Sequence, residues 1–221
     1  MKNKIVLLIT AFLLVPIFSS LYAGEEDMVL LMKLIDANDV AGVQNIVQDK
    51  KNLNELYISD TPLSLACKKG SKEIVKCLLD NGADPKEKDG SYTPPIISAF
   101  KNKEYKDIVF LLIDAGADVS SEDNDYNSPL TCALKKYTDD KEKSLELMKL
   151  LLDAGAYVDA LNEMGYTPLM IACKMDDAEL VSLFVKFSAN VNFQNKDTTT
   201  PLKLSKSKEI TKILKDKGAM E

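Results

Sequence analysis

Few residues in this 221-residue chain are able to do chemistry. It has no His, and reading along it finds no Arg or Trp. Without His, Ser-His and Cys-His nucleophile pairs and His-bound metal centres are all excluded. Thiols and carboxylates remain. Cys67, Cys77, Cys132 and Cys173 offer disulfide or zinc chemistry, but no Cys-x-x-Cys pair exists to hold a zinc ion. Glu122, Asp123 and Asp125 with Asn124 and Asn127 look like the oxygen-rich start of a calcium loop. Its Gly and its distant bidentate Glu are missing, so a solvated turn is expected there. Asp176-Asp177 and Asp139-Asp140 set carboxylates side by side, yet nothing in the sequence buries them to shift their pKa values apart for acid–base work.

The elements that carry these residues recur. Thr61-Pro62-Leu63, Thr93-Pro94-Pro95, Ser128-Pro129-Leu130, Thr167-Pro168-Leu169 and Thr200-Pro201-Leu202 follow one another at Pro-to-Pro steps of 32, 35, 39 and 33 residues. A second phrase keeps step: Gly82-Ala83-Asp84, Gly116-Ala117-Asp118, Gly155-Ala156-Tyr157, Ser188-Ala189-Asn190 and Gly218-Ala219-Met220. Two phrases locked to one period define a stacked repeat rather than a globular core with one site. A Thr or Ser before Pro starts a helix, because its hydroxyl accepts from an orphan amide and Pro stands where no amide is needed. Gly past a helix end supplies positive φ. Between the phrases, segments such as 73–79, 107–112, 146–151 and 179–184 carry apolar residues at helical spacing, so each repeat gains a second, mostly buried helix.

These units resemble ankyrin repeats, whose pattern carries Gly-x-Thr-Pro-Leu, small residues in the first helix and Gly-Ala-Asp after the second. Gly165-Tyr166-Thr167-Pro168-Leu169-Met170-Ile171-Ala172 matches it best. The resemblance spans about residues 25–221 and implies an all-α ankyrin-repeat solenoid. Its expected organisation is an N-terminal cap at 25–58, repeats at about 59–90, 91–125, 126–164 and 165–197, and a shortened C-terminal cap at 198–221. The chain departs from the pattern in places. The His usual after Pro-Leu is replaced by Ser64, Ile96, Thr131, Met170 and Lys203; Pro95 stands for Leu, and Ser98 and Ser205 for the first-helix Ala. The resemblance also implies a protein-binding face of hairpins and first helices. Projected onto this chain, its contact positions are Tyr92, Asn127, Tyr166 and Thr199 before the Thr-Pro step, and Thr131, Met170 and Lys203 after Pro-Leu. Tyr92 and Tyr166 could equally pack on neighbouring hairpins.

Stacking bears on the cysteines. Equivalent positions in adjacent repeats lie roughly 8–10 Å apart, beyond the roughly 7 Å Cα reach of a disulfide. Only Cys67 and Cys77, on two helices of one repeat, remain as a bridge, against the alternative of buried thiols acting as small apolar residues. The extra segment 135–144 mixes both charges, Lys135 through Ser144, and reads as a longer first helix or polar loop, or else as an added contact finger.

Residues 1–23 differ from the rest. Lys2 and Lys4 precede an apolar run, Ile5 to Val15, and then Ser19, Ser20 and Ala23 stand before Gly24-Glu25-Glu26-Asp27. This reads as a secretory signal peptide cut after Ala23, with a run shorter than the roughly 20 residues of a spanning helix. Retention as an anchor is the alternative. The chain has 28 basic and 34 acidic residues, net −6; cleavage would remove two Lys and leave −8. That balance disfavours nucleic acid, which needs a basic stripe. The sequence therefore points to an exported, monomeric, non-enzymatic scaffold in the periplasm or outside the cell, without cofactor or metal, binding a protein partner. The rival is an envelope accessory protein with metal-binding or enzymatic chemistry in the 127–144 region.

Overall fold

The computed structural model describes residues 26–48 and 52–220; the expected leader lies outside them. Twelve helices and no strand are found among the described residues. Helix α1 includes residues 26–36 and α2 spans Val40–Val47. Five helix pairs follow: α3 (Pro62–Lys69) with α4 (Lys72–Asp80), α5 (Pro95–Ala99) with α6 (Tyr105–Asp114), α7 (Pro129–Lys136) with α8 (Lys141–Asp153), α9 (Pro168–Met175) with α10 (Ala178–Lys186), and α11 (Pro201–Leu204) with α12 (Lys208–Asp216). First helix packs on first helix from α3 through α11. None of the described helices is long and apolar enough to cross a membrane.

The helix starts follow the expected chemistry at four of five places. Thr61, Ser128, Thr167 and Thr200 each accept a hydrogen bond from the amide three residues on, at 3.1–3.3 Å. Thr61–Ser64 and Ser128–Thr131 are reciprocal, with each hydroxyl accepting from the other's amide. The exception corrects the repeat alignment. In Thr93-Pro94-Pro95 the cap is Pro94 and the first helical residue is Pro95. Prolines at that first position are therefore 62, 95, 129, 168 and 201. Ala99, not Ser98, is then the partner of Ala66, Ala133 and Ala172, and all four are fully buried where first helices meet. Ile97, not Ile96, takes the place of the family's usual His. A run of two prolines hid this one-residue slip from a reading keyed on Thr-Pro.

The stops behave as glycine allows. Gly82, Gly116, Gly155 and Gly218 have φ of +93°, +87°, +92° and +87°, and Ser188 adopts +65° in the same role. The residue after Gly-Ala docks on the preceding repeat through its backbone. The amides of Asp84, Tyr157, Asn190 and Met220 donate to side chains of Asn54, Ser120, Asp159 and Asn192, respectively. Because the peptide makes the bond, that position tolerates Asp, Tyr, Asn or Met.

Four connecting hairpins share one device. An oxygen of Asp89, Asp123, Asn162 or Asn195 accepts from the amides two and four residues later, at 2.9–3.1 Å. Asp123 is thereby committed to a turn, its second oxygen also accepting from Asn127 Nδ2. No group of three or more His, Cys, Asp or Glu suited to a metal occurs among the described residues. Asp89 has a further partner: the Lys68 ammonium lies 2.7 Å away and also contacts Asp60. Burial would raise the Asp89 carboxyl, but Lys68 and the Thr93 and Ser91 amides outweigh it and hold the group below its usual value.

The 135–144 segment corrects another expectation. Helix α7 keeps eight residues, as in α3 and α9, and the added length goes to a turn and to the thirteen-residue α8. Tyr137 is buried and its hydroxyl donates to Asp177 at 2.8 Å, while Lys141 pairs with the same carboxylate. Asp140 caps α8 through the Lys143 amide. The insertion thus braces one repeat against the next instead of projecting as a finger.

Two tests follow from these contacts. An added Cβ at Gly155 meets nothing within 4 Å, so the cost of Gly155→Val is conformational. More than about 1 kcal/mol should be lost, and an unchanged denaturation midpoint would mean that the left-handed stop is misplaced. Asp89→Asn keeps the turn acceptor, as Asn162 and Asn195 do, and loses the ion pair. A lowered carboxyl pKa contributes stability above its unfolded value of about 3.9 and forfeits it as pH falls through the folded value. The wild-type advantage should be about 1–2 kcal/mol at pH 7 and should vanish towards pH 2 in denaturant titrations; a pH-independent difference would contradict this account.

Candidate protein-binding face

The hairpins and first helices form one continuous surface. Between α7 and α9 a groove of about 220 Å³ is walled by Leu134, Ile171, Met164 and Tyr166, with Lys135 and Lys174 at its rim. Lys174 Nζ stands 5.4 Å from the centre of the Tyr166 ring, and Lys135 Nζ donates to Asn127 Oδ1 at 2.6 Å. Neither lysine is neutralised by those contacts. Glu163, exposed on the hairpin, is the one carboxylate bordering the groove. A second hollow of about 520 Å³ lies between hairpin tips, bordered by Tyr126, Leu161, Met164 and Phe193. On the opposite side, a cleft of about 330 Å³ between α4 and α6 is bordered by Lys76, Asp80 and Asp114 and offers less apolar wall.

The expected contact residues divide. Asn127, Tyr166 and Thr199 are half-buried on this face, and Lys203 is exposed with its ammonium donating to the Thr198 carbonyl at 2.8 Å. Met170 is fully buried and Thr131 is 2% exposed, its hydroxyl committed to the Ser128 capping box. They support the helix start and present no anchor to a partner. Their place in the motif looks like a surface position only if the first turn of the helix faces outward. In α7 and α9 that third residue is buried, while Lys203, the third residue of α11, stays exposed.

Tyr92 is exposed, but in a different register from the one expected. It is equivalent to Tyr126, Gly165 and Thr198, while Thr93 is the counterpart of Asn127, Tyr166 and Thr199. All four residues of the first set have φ between +57° and +72°. Tyr92 and Tyr126 are 66% and 62% exposed, and Ile58, at φ +60° on the preceding hairpin, is 89% exposed. A left-handed backbone costs a non-glycine residue about 1–2 kcal/mol. Exposing a large apolar side chain adds no compensating burial. Tyr126, absent from the sequence-based set, belongs to this row, and Met164, also absent from that set, stands 60% exposed at the next tip, one residue before Gly165. Counting from Asp89 and Asp123 rather than from Thr-Pro aligns Tyr126 with Tyr92.

The cysteines take no part. All four are free thiols, and Cys67 and Cys173 are fully buried. Burial raises the Cys132 and Cys173 thiols to about 12 and pushes Cys67 and Cys77 up as well. At neutral pH these shifts disfavour the thiolate that a nucleophile requires.

The model of the family described as ankyrin repeats (3 copies) matches residues 31–123 and 140–220. Among known proteins, an ankyrin repeat protein of fowlpox virus is 33% identical over 131 residues, covering 59% of this chain and 17% of its own length. A second fowlpox ankyrin repeat protein is 29% identical over 149 residues, covering 64% and 71%. The ankyrin repeat and KH domain-containing protein mask-1 of Caenorhabditis elegans is 32% identical over 191 residues, 83% of this chain but 7% of that protein. Among solved structures, an ankyrin repeat domain from Acinetobacter baumannii superposes with a TM-score of 0.74 at 25% identity, over 86% of this chain and 98% of that one. The ankyrin repeat domain of Bcl-3 does so at 0.71 and 27% identity, over 84% and 81%. With matched helices, hairpins and phrases covering most of its length, the chain belongs to the ankyrin-repeat family.

Proposed function

We propose that this chain is an exported, non-enzymatic scaffold that holds a protein partner through its hairpin tips and first-helix face. Ankyrin repeats generally mediate contacts between proteins. The observation that carries the reading here is the tip row. Tyr92, Tyr126 and Met164 stand exposed on successive hairpins, two of them on left-handed backbone that glycine would adopt more cheaply. Folding gains nothing from such residues at such places. A partner does, because Tyr and Met supply large contact area at modest ordering cost. Carboxylates that an enzymatic reading would enlist, Asp140 and Asp177, are engaged in caps and ion pairs. Export rests on Lys2, Lys4, the apolar run after them and Ala23, and places the scaffold in the periplasm or outside the cell.

Two measurements address this reading. In affinity capture from the native envelope and culture fluid, a Tyr92→Asn, Tyr126→Asn variant should lose a protein that wild type retains. Its melting temperature should not fall, because Asn tolerates left-handed backbone. Equal capture by both forms would move the binding face elsewhere. Intact mass of the exported product should begin at Gly24, and a product still carrying Met1 would replace cleavage with a retained anchor.

A further inference from the structure

Charge in this protein is sorted by face. Helices α3, α5, α7, α9 and α11 contain no Asp or Glu, although the chain as a whole carries a net −6. Lysines sit at or just after their ends: Lys68, Lys69, Lys101, Lys135, Lys136 and Lys174. The helix dipole favours cations there, but it does not explain the sorting. Outer helices α4, α6, α8 and α12 end in Asp80, Asp114, Asp153 and Asp216, where the dipole disfavours an anion. The outer helices also pair their charges from repeat to repeat, Lys72 with Asp107, Lys106 with Glu146 and Lys141 with Glu179.

The first-helix lysines are largely left unpaired. Lys68 and Lys69 are matched by Asp60, Asp89 and Asp36. Beyond them, Lys101, Lys135 and Lys174 make no ion pair among the described residues, and each is the sixth residue after its helix's leading proline. Equivalent positions on packed helices recur every 8–10 Å or so. A polyproline-type chain repeats every three residues, about 9.3 Å, with one residue per turn on the same face. Beside this row lies the apolar groove between Lys135 and Lys174.

We propose that the first-helix face takes an extended acidic segment of a partner protein, presenting a carboxylate at every third residue to Lys101, Lys135 and Lys174 in turn. An apolar side chain between two of those carboxylates fills the groove walled by Leu134, Ile171 and Tyr166. This rests on the scaffold reading and specifies the partner's chemistry. Discrete carboxylates suit the face better than a nucleic-acid backbone does, because Glu122, Asp125, Glu163 and Asp197 along the hairpins repel a continuous polyanion.

The test uses a peptide of about four Glu-Pro-Leu triplets, one triplet per turn, added to the isotope-labelled protein and followed by amide chemical shifts. Saturable shifts should cluster at Thr131, Lys135, Ile171 and Lys174 and weaken as salt is raised. Lys135→Gln with Lys174→Gln, shown to be folded by an unchanged spectrum elsewhere, should lower affinity by about tenfold, near 1.4 kcal/mol. A Gln-Pro-Leu peptide should bind wild type correspondingly less. The proposal is overturned if the Glu peptide shifts nothing, if the Gln peptide binds as well, or if a thymidine oligonucleotide shifts the same amides at lower concentration. Should the envelope partner be captured through the tips while the lysine variant retains it fully, the scaffold reading survives and the acidic-segment rule fails.

Discussion

Each helix pair of this chain is too small to bury its own apolar faces, and the rest of the structure depends on that shortage. Ala66, Ala99, Ala133 and Ala172 are small enough for first helices to approach closely, and Ile74, Ile108, Leu147 and Leu180 complete the layers from the second helices. Every one of these residues is at most 1% exposed. Full burial of a Leu or Ile is worth about 1.5–3 kcal/mol, and it is realised only when the neighbouring repeat is present. Stability therefore accumulates along the stack, through nearest neighbours.

Stacking in turn dictates what the hairpins must do. Each must reverse the chain in a few residues and hand the next helix over with its amides satisfied. A single Asp or Asn oxygen does most of this in four hairpins, binding two amides at once. The reversal requires left-handed backbone, and Gly165 shows the unstrained solution. Tyr92 and Tyr126 occupy the same conformation at a cost. Strain and exposed apolar surface coincide on the face that the fold leaves open, which is where binding energy can offset them.

Electrostatics divides the molecule along the same line. Outer helices pair charges across repeats, whereas among the described residues the first helices keep lysines without carboxylate partners beyond Lys69. Surface ion pairs contribute little to stability individually, so the division matters less for folding than for what can approach each face. Long-range attraction would bring acidic polypeptide to the first-helix lysines, whereas the charge-balanced outer helices offer it no such pull.

Much of this was legible in the residues. The recurring Pro and Gly phrases specify helix starts and stops by local stereochemistry, so the fold class, the Thr and Ser caps and the glycine stops are all readable without a neighbour. Absence of His likewise bounds the chemistry by composition alone. Register and exposure were decided by tertiary contact. Pro94-Pro95 offers two possible starts, and only the requirement that Ala99 meet Ala66 and Ala133 selects the second. Met170 and Thr131 sit in a motif that reads as surface, yet both are buried; Tyr137 looks like part of a solvated loop until its hydroxyl donates to Asp177, forty residues on. Such facts depend on which atoms lie across a repeat boundary, and a linear pattern records the period of the stack without recording its contacts.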